Sequence, residues 1–147
     1  MDTVRFTADA FRQLADTVGS LPAESGAVIG AKNNQPALIS QVWFDEQAKS
    51  GAHFYAPSCH EIEKAVGQWQ SNGCHFSGII HSHRKGFPTL SPMDLRSGTL
   101  IMEANGLSHI LLGLYHQHTL SMFRLSAALG EAHPRLEPLS VTVISAV

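Results

Sequence analysis

Charge is scarce in this chain. Asp, Glu, Lys and Arg make up only 15% of its residues and sum to −2 with the histidines neutral, so no basic field exists to gather a phosphate backbone or an anionic membrane surface. Neither nucleic acid nor a membrane is an expected partner. Cysteine is scarcer still, two in 147 residues. Cys59 and Cys74 are too far apart for a C-x-x-C redox pair and too few for a four-cysteine zinc ribbon, and both read as buried thiols. Long apolar runs are missing as well. Asp2, Arg5, Asp9, Arg12 and Asp16 break up the stretch from Met1 to Leu21, which leaves room for neither a signal-peptide core nor a membrane span. A cytoplasmic location is the resulting expectation. Without repeats, low-complexity tracts or a Pro/Gly-rich linker, residues 1–147 read as a single domain. Its 44% hydrophobic residues suffice for a core without staples.

What is present alternates between two periods. Phe11, Leu14, Ala15 and Val18 recur at helical spacing, so Thr7 to Val18 reads as a first helix with Thr7 as N-cap and Gly19 as its stop. Ala27 to Gly30 and Ala37 to Phe44 are rich in Val and Ile and flank Asn33-Asn34-Gln35-Pro36, a hairpin signature. His53 to Tyr55 is a candidate further strand. Ser58 to Trp69 carries Ile62, Val66 and Trp69 on one stripe, with Ser58 as cap and Glu61 three residues on, a second helix. His75 to Ser82 is mostly apolar, as a strand buried on both faces would be. A helix over Ser91 to Ala104, a hairpin of Leu107 to Tyr115 with Thr119 to Leu125, and a last strand Leu139 to Ile144 complete an α/β layered domain.

Chemistry concentrates between residues 81 and 94, where a strand end passes through a Gly/Pro turn into a helix. Residues i and i+2 of a strand point to one side about 6.6 Å apart, so the imidazoles of His81 and His83 can converge on one ion. A catalytic zinc takes three protein ligands and leaves a place for water, and Asp94 on the following helix can be the third. Ser91-Pro92-Met93-Asp94 also has a purely structural reading, with Ser91 as N-cap, Pro92 at N1 and Asp94 at N3.

Taken together, His81-Ser82-His83, Ser91 and Asp94 match the H-[ST]-H-x7-S-x-x-D signature of the JAMM (MPN-plus) metalloprotease family, which the chain therefore resembles. Upstream, Glu24-Ser25-Gly26-Ala27-Val28-Ile29-Gly30 is similar to that family's E-x-G-x-hydrophobic-x-G segment. The resemblance implies a cytidine-deaminase-like α/β/α fold and a Zn²⁺-dependent peptidase or isopeptidase. It further implies Glu24 as general base and Ser91 as hydrogen-bond donor to the developing oxyanion. The substrate it implies is a peptide or isopeptide bond after the C-terminal Gly-Gly of a ubiquitin-like or sulfur-carrier protein. Where the family usually has proline after the second histidine, this chain has Arg84 and Lys85, cations suited to a carboxylate-bearing feature of the substrate.

Two rivals come from other classes: a non-catalytic MPN-type scaffold, against which the complete ligand set counts, and a DNA-repair-associated relative with the same string, against which the charge counts. A zinc nucleobase deaminase would need H-x-E with P-C-x-x-C, and neither is present. His116-Gln117-His118 is a second H-x-H, but it has hairpin-turn context and no Ser-x-x-Asp after it, so it reads as exposed. Trp43 and Trp69 read as core or groove-wall aromatics.

Overall fold

The computed structural model describes residues 3–19, 25–45, 49–50, 55–56, 59–82, 90–127 and 134–145. Their order is β1 (Thr3–Thr7), α1 (Ala8–Asp16), β2 (Gly26–Lys32), β3 (Leu38–Phe44), β4 (Lys49–Ser50), β5 (Tyr55–Ala56), α2 (Cys59–Ser71), β6 (Cys74–Ser82), α3 (Pro92–Asn105), β7 (His109–His116), β8 (Thr119–Ser126) and β9 (Arg135–Ile144). Seven strands close into a barrel in the order β1-β3-β2-β6-β7-β8-β9, while β4 and β5 form a separate ribbon.

Closure is the work of β1. It pairs in parallel with β3 through Arg5↔Leu38 and Phe6↔Ile39, and with β9 from Thr3↔Ser140 to Thr7↔Ile144. Strand alternation then sorts the side chains. One cluster unites Val4 and Phe6 (β1), Ile29 (β2), Ile39 (β3), Ile80 (β6), Tyr115 (β7), Met122 (β8) and Leu139 (β9). Only the interior of a closed sheet lets all seven strands meet. Leu14 of α1 and Val18 just beyond it join the same cluster, so the first helix packs onto the barrel core. Outward residues are covered by the other two helices: Val28 by Ile62, Ala65 and Trp69 of α2, and Ile79, Ile110, Leu112 and Leu125 by Met102 of α3. None of the described helices is long and apolar enough to cross a membrane.

The barrel corrects the cytidine-deaminase-like α/β/α layered sheet expected from the sequence. A layered sheet needs two free edges, and both are used up here. β1 has only five residues with Val4 and Phe6 as its inward pair, too short a run to announce itself beside a capped helix. β9 begins at Arg135 instead of Leu139, because Leu136↔Leu125 and Pro138↔Phe123 pairing with β8 extends it through a polar, proline-containing stretch.

Local signals fared better. Thr7 caps α1, its hydroxyl accepting from Ala10 N at 3.1 Å. Cys74 is a buried, unbridged thiol. The expected cap Ser58, and His53 and Phe54 of the expected short strand, lie outside the described residues; Tyr55 belongs to β5. In the β7–β8 turn, Gln117 (φ 48°) and His118 (φ 66°) both occupy the left-handed region, as a two-residue hairpin whose flanking pair is His116↔Thr119 demands. Neither is a glycine. His118→Gly should therefore raise stability by about 1 kcal/mol, measured as a higher denaturant midpoint at unchanged slope; an unchanged or lowered midpoint would show that the turn carries no such strain.

Candidate functional site at the end of β6

β6 lies between β2 and β7, so its long apolar run is explained by burial on both sides. Alternation puts Ile80 in the barrel interior and Ile79 under α3. His81, two residues after Ile79, faces α3 as well. It is met there by the first turn of that helix. Ser91 Oγ accepts from Asp94 N at 3.2 Å while Asp94 Oδ2 accepts from Ser91 N at 2.7 Å, a complete capping box with Pro92 inside the start. The other carboxylate oxygen, Oδ1, stands 3.1 Å from His81 Nε2, with the two side chains 4% and 13% exposed. The cap and the contact with His81 are thus divided between the two oxygens of one carboxylate.

The floor of the site is set by cross-strand pairing. Gly26 of β2 lies opposite His81 and Leu114 of β7 on its other side. Just beyond, the chain is clamped: Ser82 N donates to Ser25 O at 2.9 Å and Ser25 N donates to Ser82 Oγ at 3.0 Å, both residues being buried. Ser25 Oγ is itself buried with no hydrogen-bond partner among the described residues. On the far side of Gly26, Asp45 donates its amide to Gly26 O at 3.0 Å and is buried.

Of the residues expected to act, His81 and Asp94 are brought together, and Ser91 stands beside them as the cap. Glu24, His83, Arg84 and Lys85 lie outside the described residues. Among the described residues no group of three His, Cys, Asp or Glu side chains is assembled for a metal. The second H-x-H sits on the β7–β8 turn, with Gln117 and His118 exposed and His116 half-buried. Ser25, Ser82 and Asp45 were not anticipated. A lone Asp after an apolar strand reads as a solvated strand end, and only the neighbouring β2 reveals its burial. Glu61, expected in a capping box, is buried and accepts from Trp43 Nε1 at 2.8 Å.

No protein-family model matches the chain, and no curated protein matches it significantly. Among solved structures, the solution structure of protein DSY2949 from Desulfitobacterium hafniense is similar, with a TM-score of 0.70 over 98% of this chain and 94% of that one at 14% identity. At that identity the likeness is one of fold. These findings correct the reading of the chain as a JAMM (MPN-plus) protease: the fold it shares is that of DSY2949, its sheet is a closed barrel, and the described residues assemble no three-donor metal site. The reason lies in how little the string constrains. Ser91-Pro92-Met93-Asp94 is fully used as a helix start, and a histidine at a buried strand end opposite it satisfies both elements without specifying the rest of the sheet.

Proposed function

We propose that the His81 end of the barrel is a hydrolytic site that uses zinc to cleave an amide bond. The observation that carries this reading is the 3.1 Å between His81 Nε2 and Asp94 Oδ1. Two ligands on one tetrahedral zinc, bonded at the usual 2.0–2.2 Å, sit about 3.3 Å apart, so the donor pair fits that ion. When bound, zinc would supply Lewis acidity and water acidic enough to react near neutral pH. His81 and Asp94 hold the ion and His83 completes the set. Glu24 takes a proton from water and returns it to the leaving amine. Ser91, whose Oγ accepts from Asp94 N, still has its O–H to donate to the developing oxyanion.

With His81 only 4% exposed on its side chain, the substrate must be slim. The substrate to assay first is the one that the resemblance of the short string implied, the extended Gly-Gly tail of a small ubiquitin-like or sulfur-carrier protein in a cytoplasmic setting, and its slimness suits a site this closed. A second reading, a binding module without catalysis, is favoured by the same distance, since 3.1 Å also lies within ordinary N–H···O range. Metal analysis with a cleavage assay separates the two. Glu24→Gln keeps shape and removes the basic oxygen, so zinc and fold should persist while kcat falls about 100-fold at nearly constant KM. Zinc lost in this variant would make Glu24 a ligand, and near-normal turnover would remove it as the base.

A further inference from the structure

The opposite mouth of the barrel holds a cavity of about 500 Å³, walled by Val4, Ile39, Phe76, Leu107 and Leu111 among others. Its residues on β6 come from the start of the strand, His75 to Ser77, about 13–20 Å of strand away from His81. It is a separate site. Barrel mouths are habitual ligand sites, and this volume suits a small organic molecule.

Three features define what would bind. First, the walls named above are apolar. Second, the polar residues around the cavity include His75, His109 and Arg124, and no Asp or Glu is among its described lining residues. Arg124 donates from Nη2 to Glu137 Oε2 at 3.2 Å, and Glu137 is 48% exposed. This is a partly solvated, single contact that leaves other guanidinium N–H groups to donate. Third, β6 carries a bulge at this wall. β2 pairing steps from Ile29↔Gly78 to Gly30↔Phe76 and leaves Ser77 over, and Ser77 Oγ is buried without a partner among the described residues. Bulges at barrel rims re-aim side chains, and an orphaned buried hydroxyl is costly until something accepts from it.

We infer that this mouth binds an amphipathic monocarboxylate, its carboxylate on Arg124 and the Ser77 wall and its apolar body inside the barrel end. The cavity stands on its own evidence, and neither presence nor absence of hydrolysis at His81 bears on it.

The test uses the full chain with decanoate and decanol as probes, followed by amide chemical shifts and calorimetry. Decanoate should bind saturably with a Kd below about 1 mM, shifting amides of Leu107 to Leu111 and leaving His81 and Ser82 unmoved. Decanol should bind at least about 10-fold more weakly, a factor within the range of one charge-assisted contact. Arg124→Gln should bring decanoate to the affinity of decanol and leave decanol unchanged, and Arg124→Lys should restore part of the difference. No saturable decanoate binding by about 5 mM, equal affinity for the two probes, wild-type affinity in folded Arg124→Gln, or shifts confined to the His81 end would each overturn the inference.

Discussion

Gly78→Ala should cost the barrel about 3 kcal/mol or more, a shift of about 150-fold in the folding equilibrium. A Cβ built at residue 78 lies 1.9 Å from Leu111 O and 2.7 Å from Leu111 C. Those atoms are backbone, held by the parallel Gly78↔Leu111 pairing of β6 with β7, so no side-chain rotation relieves the clash and two strands must separate. The displaced strand is the one that carries His81 three residues later, which couples the fold to the site. Gly67→Ala is the internal control. It is an exposed position within α2 where a Cβ meets nothing within 4 Å, and there the substitution should stabilise by about 0.5–1 kcal/mol through helix propensity. Denaturant midpoints of the two variants decide the matter: a loss under about 1 kcal/mol for Gly78→Ala would mean that β6 and β7 are not in this close register.

How far the sequence could be read follows from the range of each signal. Thr7, Ser91 with Asp94, and the turn at Gln117 and His118 act within four residues, and each marks its element end where the structure has it. The apolar run of β6 likewise forecast burial on both faces. Closure could not be read the same way, because it rests on Thr3 lying beside Ser140, their hydroxyls 2.9 Å apart across almost the whole chain. The five residues of β1 are too short a run to announce a strand beside the capped helix, and nothing local says which edges it joins. A barrel and an open layered sheet can share nearly all their local patterns and differ only in that choice.

The site divides along the same line. His81 and Asp94 were legible as a pair because they lie close in sequence, one at a strand end and one at a helix start. Asp45 and Ser25 were not, since their burial is created by β3 and β6 flanking β2. The short string was nevertheless asked to carry more than it holds. It constrains a few residues around two element ends, and a capping box with a histidine opposite meets the same constraint.

That overlap makes Asp94→Asn the decisive substitution. In the structure Asp94 Oδ2 accepts from Ser91 N at 2.7 Å and Oδ1 faces His81 Nε2 at 3.1 Å, so one residue performs two tasks with two equivalent oxygens. Asparagine has one. If its carbonyl oxygen keeps the Ser91 N–H, its amide nitrogen must face His81, which a metal ligand cannot replace and a helix start does not notice. Stability should therefore change by no more than about 1 kcal/mol, the scale of a single cap. Zinc affinity should fall by 100-fold or more, since losing even the outer partner of a ligand costs about 10–100-fold. Ser91→Ala should show the converse: a loss of about 1 kcal/mol from the broken cap with zinc retained, because Oδ1 of Asp94 stays where it is. Competition against a chromophoric chelator measures the first quantity and thermal unfolding the second. Wild-type zinc affinity in a folded Asp94→Asn variant would reduce Asp94 to a cap with an ion-paired neighbour and remove zinc from the site. A fall in affinity with an intact helix start would instead establish that one carboxylate serves the fold through one oxygen and the chemistry through the other.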